Sequence, residues 1–166
     1  MIHDLDLVLS VVKSNIKRVA ANGVAVISDS SDIANARVEF DNGCVANLTA
    51  SRISKLNMRK VRMFQRNGYI AVDLLDKTVE IIHHNDNILS PNAMTFTLGE
   101  NENARKFTIE KPAVPVSNAI REELSAFAAC IANNEIPPVS IEDAYRSMEL
   151  ATLIIERLKT TSPGNE

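Results

Sequence analysis

The fold is decided by residues 33–51, which read IANARVEFDNGCVANLTAS. Apolar and polar side chains alternate on both sides of the central DNG, and this period of two is typical of strands with one buried face. Asn42 and Gly43 tolerate the positive φ angles of a tight turn. The stretch is therefore predicted to be a β-hairpin, with Cys44 in phase with the apolar side chains as a small buried or half-buried residue.

Further short strands are predicted on the C-terminal side of this hairpin, at residues 61–65, 69–75, 78–84, 94–98 and 105–110. Arg66-Asn67-Gly68 supplies a second hairpin turn, and residues 99–103 form a polar turn. Hairpins that follow one another along the chain favour a mostly antiparallel sheet, because parallel strands need long crossover connections.

Helices are predicted at both ends of the strand region. The first covers residues 4–13, and Pro137-Pro138 separates the last two. Their predicted apolar stripes are Ile120, Leu124, Phe127, Ala128 and Ile131, then Ile141, Ala144, Met148, Ala151, Ile155 and Leu158. Strands followed by segregated helices indicate an α+β domain at residues 1–159, with one large, mostly antiparallel open sheet and helices on one face. Residues 160–166 are predicted to be a frayed tail.

The composition excludes several classes of protein. A length of 166 residues fits about one domain. The net charge of −3 disfavours a nucleic-acid partner, and no apolar run approaches the roughly 20 residues that span a membrane. Two cysteines indicate a reducing cytoplasm rather than a disulfide framework. The five glycines cannot form a phosphate-binding loop. Because the apolar pattern starts almost at Met1, we expect a fragment of a longer protein.

A few side chains could carry chemistry. His3 could act as an acid or base near neutral pH, or be an ordinary surface histidine. Arg52 and Lys55 begin a basic run that could present cations to an anionic ligand, or simply be a solvated loop.

No metal site is predicted. The adjacent His83 and His84 on a strand would point to opposite faces, so they form a poor metal pair. The turn at residues 28–32 is rich in Ser and Asp, which is more typical of turn chemistry than of a cation loop.

One strand face of the first hairpin is polar with few charges. Its residues are Asn35, Arg37, Glu39, Asn47, Thr49 and Ser51. Small polar side chains can face water or allow close sheet-on-sheet contact between two copies of the chain.

Four segments together resemble one family. They are residues 2–7 (IHDLDL), 32–46 (DIANARVEFDNGCVA), 122–127 (EELSAF) and 137–144 (PPVSIEDA). In this order and spacing they resemble the C-terminal domain of the glucose-fructose oxidoreductase and inositol dehydrogenase family, Gfo/Idh/MocA. The resemblance implies a ferredoxin-like, dihydrodipicolinate-reductase-like domain of a two-domain dehydrogenase, whose N-terminal Rossmann domain is absent from this chain.

The resemblance also implies roles for particular residues. The family's motif is Asp-x-x-x-His-x-x-Asp, in which His3 matches the catalytic histidine and Asp6 the last aspartate, a substrate ligand. Its first aspartate, and the catalytic lysine of the Rossmann domain, would precede Met1. Glu110-Lys111-Pro112 has the letters of that lysine motif but lies in the wrong domain. Arg52 and Lys55 would contact substrate, and Arg52 points to an anionic one such as a nucleotide-linked amino sugar.

The implied function is oxidation of a sugar, polyol or nucleotide sugar with NAD or NADP, which the missing domain would bind. The chain alone is then expected to be inactive, to bind no cofactor, and to form a homodimer or tetramer through its open sheet face. Two alternatives remain open: a free-standing dimerisation or small-ligand-binding module without catalysis, and a regulatory domain that binds a sugar or nucleotide.

Overall fold

A computed structural model describes residues 1–84, 93–99 and 104–161. The chain forms a helix, eight strands and two further helices, so the predicted α+β class is confirmed. Their bounds are α1 Ile2–Val11, β1 Ile16–Val24, β2 Ile33–Phe40, β3 Val45–Ser51, β4 Lys60–Gln65, β5 Gly68–Asp73, β6 Thr78–His83, β7 Met94–Leu98, β8 Arg105–Glu110, α2 Ala119–Asn133 and α3 Ile141–Thr161. Residues 100–103 of the predicted polar turn, and 162–166 of the predicted tail, lie outside the described part.

The strands are divided between two antiparallel sheets, where the sequence predicted one large sheet. Strands β1, β2 and β3 form one sheet, and the second has the order β4-β5-β6-β8-β7. No ladder joins β3 to β4 in the described chain, and residues 52–59 between them contain no strand. The chain accordingly forms two compact units: Met1–Lys55 with the chain from Ile120 onward, and Leu56–Ala119.

The hairpin that joins β2 to β3 is formed as predicted. The Phe40 amide donates to the Cys44 carbonyl oxygen (2.9 Å), and the Gly43 amide donates to the Phe40 carbonyl oxygen (3.0 Å). Gly43 has a φ of +83°, which explains the need for glycine in this turn. The prediction that Cys44 is buried or half-buried is wrong: it is exposed, because it lies in the turn before β3 begins.

The core of the first unit lies between the three-stranded sheet and helices α1 and α3. Its buried members are Leu5, Leu9, Ala21, Ala36, Val38, Phe40, Leu48, Leu150 and Ile154. The β2 residues in this set are the alternate apolar positions of the hairpin, so the predicted strand phase is correct. Helix α1 buries Leu5 and Leu9 on one side, which fixes the orientation of its other faces.

The register predicted for the last two helices is partly wrong. Ala151 and Leu158 of the predicted α3 stripe pack against the core, but Ile141, Met148 and Ile155 are 81%, 59% and 52% exposed. The buried positions of α3 are instead Ser147, Leu150 and Ile154. Helix α3 carries two apolar stripes, and the buried one contains a serine, which hides it from a purely apolar pattern. In α2 the side chains that the pattern predicted to be buried, Ile120, Leu124, Phe127, Ala128 and Ile131, are exposed, and the buried residue is Cys130.

The second unit consists of the five-stranded sheet and its connections. Gly68 begins β5 and pairs with both Gln65 and His83. A Cβ atom at residue 68 would collide with the carbonyl oxygen of Ile82, so the close approach of β5 to β6 requires glycine here. The antiparallel pairing of β4 with β5, which ends at Gln65 and Gly68, forms the second predicted hairpin. Within the ranges described, no helix is long and apolar enough to cross a bilayer.

Candidate functional site

His3 and Asp6 lie on the same side of α1, because residues three apart are neighbours on a helix surface. His3 is exposed and Asp6 is half-buried. Leu5 and Leu9 anchor the helix to the core. Among the described residues, the His3 imidazole makes no hydrogen bond or ion pair. A solvent-accessible imidazole and a carboxylate one turn apart can together contact one hydroxyl-bearing ligand.

Asp6 is held by the last helix. Its Oδ1 atom accepts a hydrogen bond from the Ser147 hydroxyl at 3.2 Å, and Ser147 is 3% exposed. Its Oδ2 atom accepts no hydrogen bond within the part of the chain that the structure describes. One carboxylate oxygen is thus restrained, and the other is available to a ligand.

A cavity of about 70 Å³ lies beside Asp6. Its lining comes from α1, from the link before α3 and from α3 itself: Asp6, Leu9, Ser10, Lys13, Pro138, Val139, Asp143 and Arg146. Pockets that enclose a small ligand usually measure roughly 300–1,000 Å³. This cavity alone therefore does not enclose a sugar, and a substrate at Asp6 would also need to be covered from elsewhere.

The charges at this cavity are balanced. The Ser140 amide and hydroxyl donate to Asp143 and lower the pKa of its carboxyl group, and the cations Lys13 and Arg146 lower it further. The Asp143 amide in turn donates to the Ser140 hydroxyl (3.1 Å), which completes the N-terminal cap of α3. These contacts fix the start of α3.

Arg52 is bound to the turn before β2. Its Nη2 atom donates to the Ser31 carbonyl oxygen (3.0 Å), and its Nε atom lies 3.6 Å from Asp32 Oδ1. The Arg52 side chain is still 58% exposed. The guanidinium group thus fixes the end of β3 to this turn. Contact of Arg52 with a substrate stays a prediction.

Asp32 organises the same turn. Its inaccessible carboxylate accepts hydrogen bonds from the amides of Val26 (2.7 Å), Ile27 (2.8 Å) and Ser28 (3.1 Å), and from the Ser28 hydroxyl (2.7 Å). These donors, led by the Ile27 amide, hold the pKa of Asp32 well below its usual range. Sequence reasoning identified the turn but missed this role, which three backbone amides define.

Lys55 is exposed, and no described contact joins it or Arg52 to His3 or Asp6. The structure therefore brings together two of the four predicted site residues. In the described ranges, no group of three or more His, Cys, Asp or Glu side chains could hold a metal ion.

The polar face of the three-stranded sheet carries cross-strand hydrogen bonds. Thr49 Oγ1 donates to Asn35 Oδ1 (2.8 Å), and Arg37 Nη1 donates to Asn47 Oδ1 (3.3 Å). These pairs are opposite each other in the register of β2 and β3. All four residues are exposed and line a depression of about 390 Å³. Hydrogen bonds between its own side chains thus hold this face in place, and in the single chain the face is exposed to solvent.

The two adjacent histidines of the second unit have different partners, as alternation along a strand predicts. His83 Nε2 lies 2.8 Å from Glu110 Oε1, with both side chains largely buried, whereas the His84 and Phe107 rings pack in a T-shaped arrangement with their centroids 5.5 Å apart. The sequence did not predict the His83–Glu110 pair, which depends on the register of β6 and β8. Lys111, of the misleading Glu-Lys-Pro triplet, forms an ion pair with Glu80 (2.6 Å).

Comparison with known proteins identifies the class. Residues 1–71 match the family model described as the GFO/IDH/MocA C-terminal domain. A solved UDP-N-acetylglucosamine 3-dehydrogenase from Acidithiobacillus ferrooxidans has a TM-score of 0.81 and 28% identity, over 97% of this chain and 48% of that one. Residues 1–71 are therefore similar to the Gfo/Idh/MocA C-terminal domain, and the predicted resemblance to this family is confirmed.

The curated relative is UDP-N-acetylglucosamine 3-dehydrogenase from the same organism. It is 43% identical over 83 residues, which are 50% of this chain and 26% of the relative. Levoglucosan dehydrogenase, solved with NADH, shares the fold with a TM-score of 0.73 and 16% identity, over 97% of this chain and 47% of that one. The chain thus spans about half the length of these solved proteins, and its relatives include sugar and nucleotide-sugar dehydrogenases.

Proposed function

We propose that this chain is the substrate-binding and assembly domain of an NAD- or NADP-dependent oxidoreductase that acts on a nucleotide-linked amino sugar. The observation that carries the proposal is the pairing of His3 and Asp6 on one side of α1, with Asp6 restrained by Ser147. These are the two positions of the family's motif that the chain contains. The 43% identity to UDP-N-acetylglucosamine 3-dehydrogenase supports this substrate class.

His3 would exchange the proton of the hydroxyl group that is oxidised, because an imidazole can give or take a proton near neutral pH. The free Oδ2 of Asp6 would accept a hydrogen bond from a sugar hydroxyl. The exposed cations Arg52 and Lys55 would attract the phosphate groups of a nucleotide sugar. The turn contacts of Arg52 leave its Nη1 atom available for such a contact among the described residues.

The residues of this chain do not fit a nicotinamide dinucleotide. Every strand pair described is antiparallel, so there is no parallel strand-helix-strand unit with a glycine-rich turn at the helix start. The dinucleotide would bind to another domain of the enzyme. The chain itself would then have no dehydrogenase activity.

The polar face of the three-stranded sheet is the proposed assembly surface. It carries few Lys or Glu side chains, and Arg37 is neutralised by Glu39 at 3.0 Å. A face built from Asn and Thr side chains can approach a second sheet to about 10 Å and exchange hydrogen bonds with it. Two identical faces would meet about a two-fold axis to give a homodimer, and a tetramer needs a further contact. A cytoplasmic location remains a prediction from the two unpaired cysteines.

The test is activity of the two-domain protein that contains this chain. With UDP-N-acetylglucosamine and NAD⁺ or NADP⁺, His3→Ala is expected to lower kcat by about 10²–10⁴-fold, the usual contribution of a general acid or base. His84→Ala, in the second unit, is the matched histidine control and should retain kcat. A His3→Ala enzyme within a few-fold of wild type would show that His3 is an ordinary surface histidine.

If no nucleotide-binding domain accompanies the chain and no sugar is oxidised, the alternative is a free-standing dimerisation or ligand-binding module.

A further inference from the structure

Ser147 is a polar residue at a core position of α3. It lies on the buried side of the helix, in the same stripe as Leu150 and Ile154, and is 3% exposed. Burial of a hydroxyl group is unfavourable unless it forms a hydrogen bond. The hydroxyl of Ser147 meets this requirement by donating to Asp6 Oδ1 across the contact of α1 with α3.

This hydrogen bond restrains a side chain that would otherwise rotate. The terminal torsion of an aspartate has a broad energy minimum, so its two oxygens have no fixed direction of their own. With Oδ1 held by Ser147, the direction of Oδ2 is also fixed. Oδ2 accepts no hydrogen bond among the described residues, and Asp6 lies one helical turn from His3 on α1.

We propose that Ser147 is a positioning residue: it orients Asp6 so that the free oxygen meets a sugar hydroxyl next to His3. The inference rests on the proposed function, because it gives Ser147 a role through Asp6. Helix α3 thereby takes part in substrate recognition although Ser147 itself touches no substrate. A hydrogen bond to a carboxylate is stronger than one between neutral groups, so its loss should be measurable.

The experiment measures kcat and KM of the two-domain protein with UDP-N-acetylglucosamine and NAD⁺ or NADP⁺. Ser147→Ala is expected to lower kcat/KM by about tenfold, at the lower end of what a hydrogen bond to a charged group contributes. Ser147→Thr retains a hydroxyl group and should stay within about threefold of wild type. Thr152→Ala is the matched control, since the Thr152 hydroxyl lies on the same helix and, among the residues that the structure describes, bonds only the Met148 carbonyl oxygen.

A double-mutant cycle separates positioning from simple stabilisation. In the Asp6→Asn background, Ser147→Ala should cause less than about a twofold further loss, because both changes remove one interaction. Multiplicative losses would overturn the proposal, as would a tenfold effect of Thr152→Ala. Normal activity of Ser147→Ala beside a defective Asp6→Asn would overturn this inference alone. Normal activity of Asp6→Asn would overturn both the inference and the role of Asp6 in the proposed function.

Discussion

Replacement of Leu150 by alanine tests which side of α3 faces the core. Leu150 is 0% exposed and belongs to the cluster that contains Leu5 and Leu9 of α1. A buried leucine that becomes alanine loses its transfer free energy and leaves a cavity, which together cost about 2–5 kcal/mol. Because Leu150 is fully enclosed by two helices and a sheet, we expect a loss of about 3 kcal/mol in the free energy of unfolding.

The matched control is Ile155→Ala on the same helix. Ile155 belongs to the stripe that the sequence pattern predicted to be buried, but it is 52% exposed. We expect a loss below about 1 kcal/mol, as for most surface substitutions. The assay is urea unfolding followed by circular dichroism at 222 nm, which reports the helices, with thermal unfolding as a second measurement.

The expected shift in Tm is about 6–12 °C for Leu150→Ala, at roughly 2–4 °C per kcal/mol for a chain of this length. If Ile155→Ala destabilised the protein as much as Leu150→Ala, the register of α3 described here would be wrong. A Leu150→Ala variant with a wild-type Tm would refute the same reasoning.

Three further predictions concern charge, cofactor and assembly. The fold lowers the pKa of Asp32 below its value of about 4 in the unfolded chain. The ionised carboxylate therefore stabilises the fold above that pH, and this stabilisation is lost as the pH falls toward the lower pKa of the folded state. The Tm difference between wild type and Asp32→Asn should therefore shrink from about pH 6 to about pH 3, and a constant difference would contradict the assigned hydrogen bonds. The chain alone should bind neither NAD nor NADP, because the strands that the structure describes pair only antiparallel and offer no strand-turn-helix unit for a phosphate-binding loop. Micromolar affinity by isothermal titration calorimetry would refute this. Light scattering should report a dimer with twice the 18.2 kDa mass of the chain. Thr49→Arg on the polar sheet face should reduce the measured mass to that of the monomer, whereas the control Glu156→Arg on α3 should leave the dimer intact. A wild-type monomer at high micromolar concentration would exclude this interface.

The two hairpins could be predicted because their turns depend on local chemistry. Gly43, with its φ of +83°, provides the backbone angle of the first turn, and Gly68 pairs with Gln65 across the second. The strand phase around Val38 followed from the same local alternation. The family, and with it the candidate pair His3 and Asp6, was recognised from short segments whose order is visible in the sequence.

The contacts that refine the site could not be predicted in the same way. Ser147 and Asp6 are 141 positions apart, and their hydrogen bond depends on how α1 packs against α3. The His83–Glu110 pair depends on the order of strands in the second sheet. The division into two sheets was missed because alternation identifies strands without stating which of them pair. Helix α3 carries two apolar stripes, and periodicity alone cannot tell which of them faces the core.

The link from Asp6 to Ser147 has a genetic consequence. A frameshift or nonsense mutation shortly before codon 147 removes Ser147, Leu150 and Ile154 together, while His3 and Asp6 are translated unchanged. The first helix then loses both its packing partner and the donor to its carboxylate. Such an allele would have the same effect as a mutation at His3 or Asp6, although both residues are intact. If a separately expressed copy of helix α3 restored function, it would show that the loss comes from the missing helix.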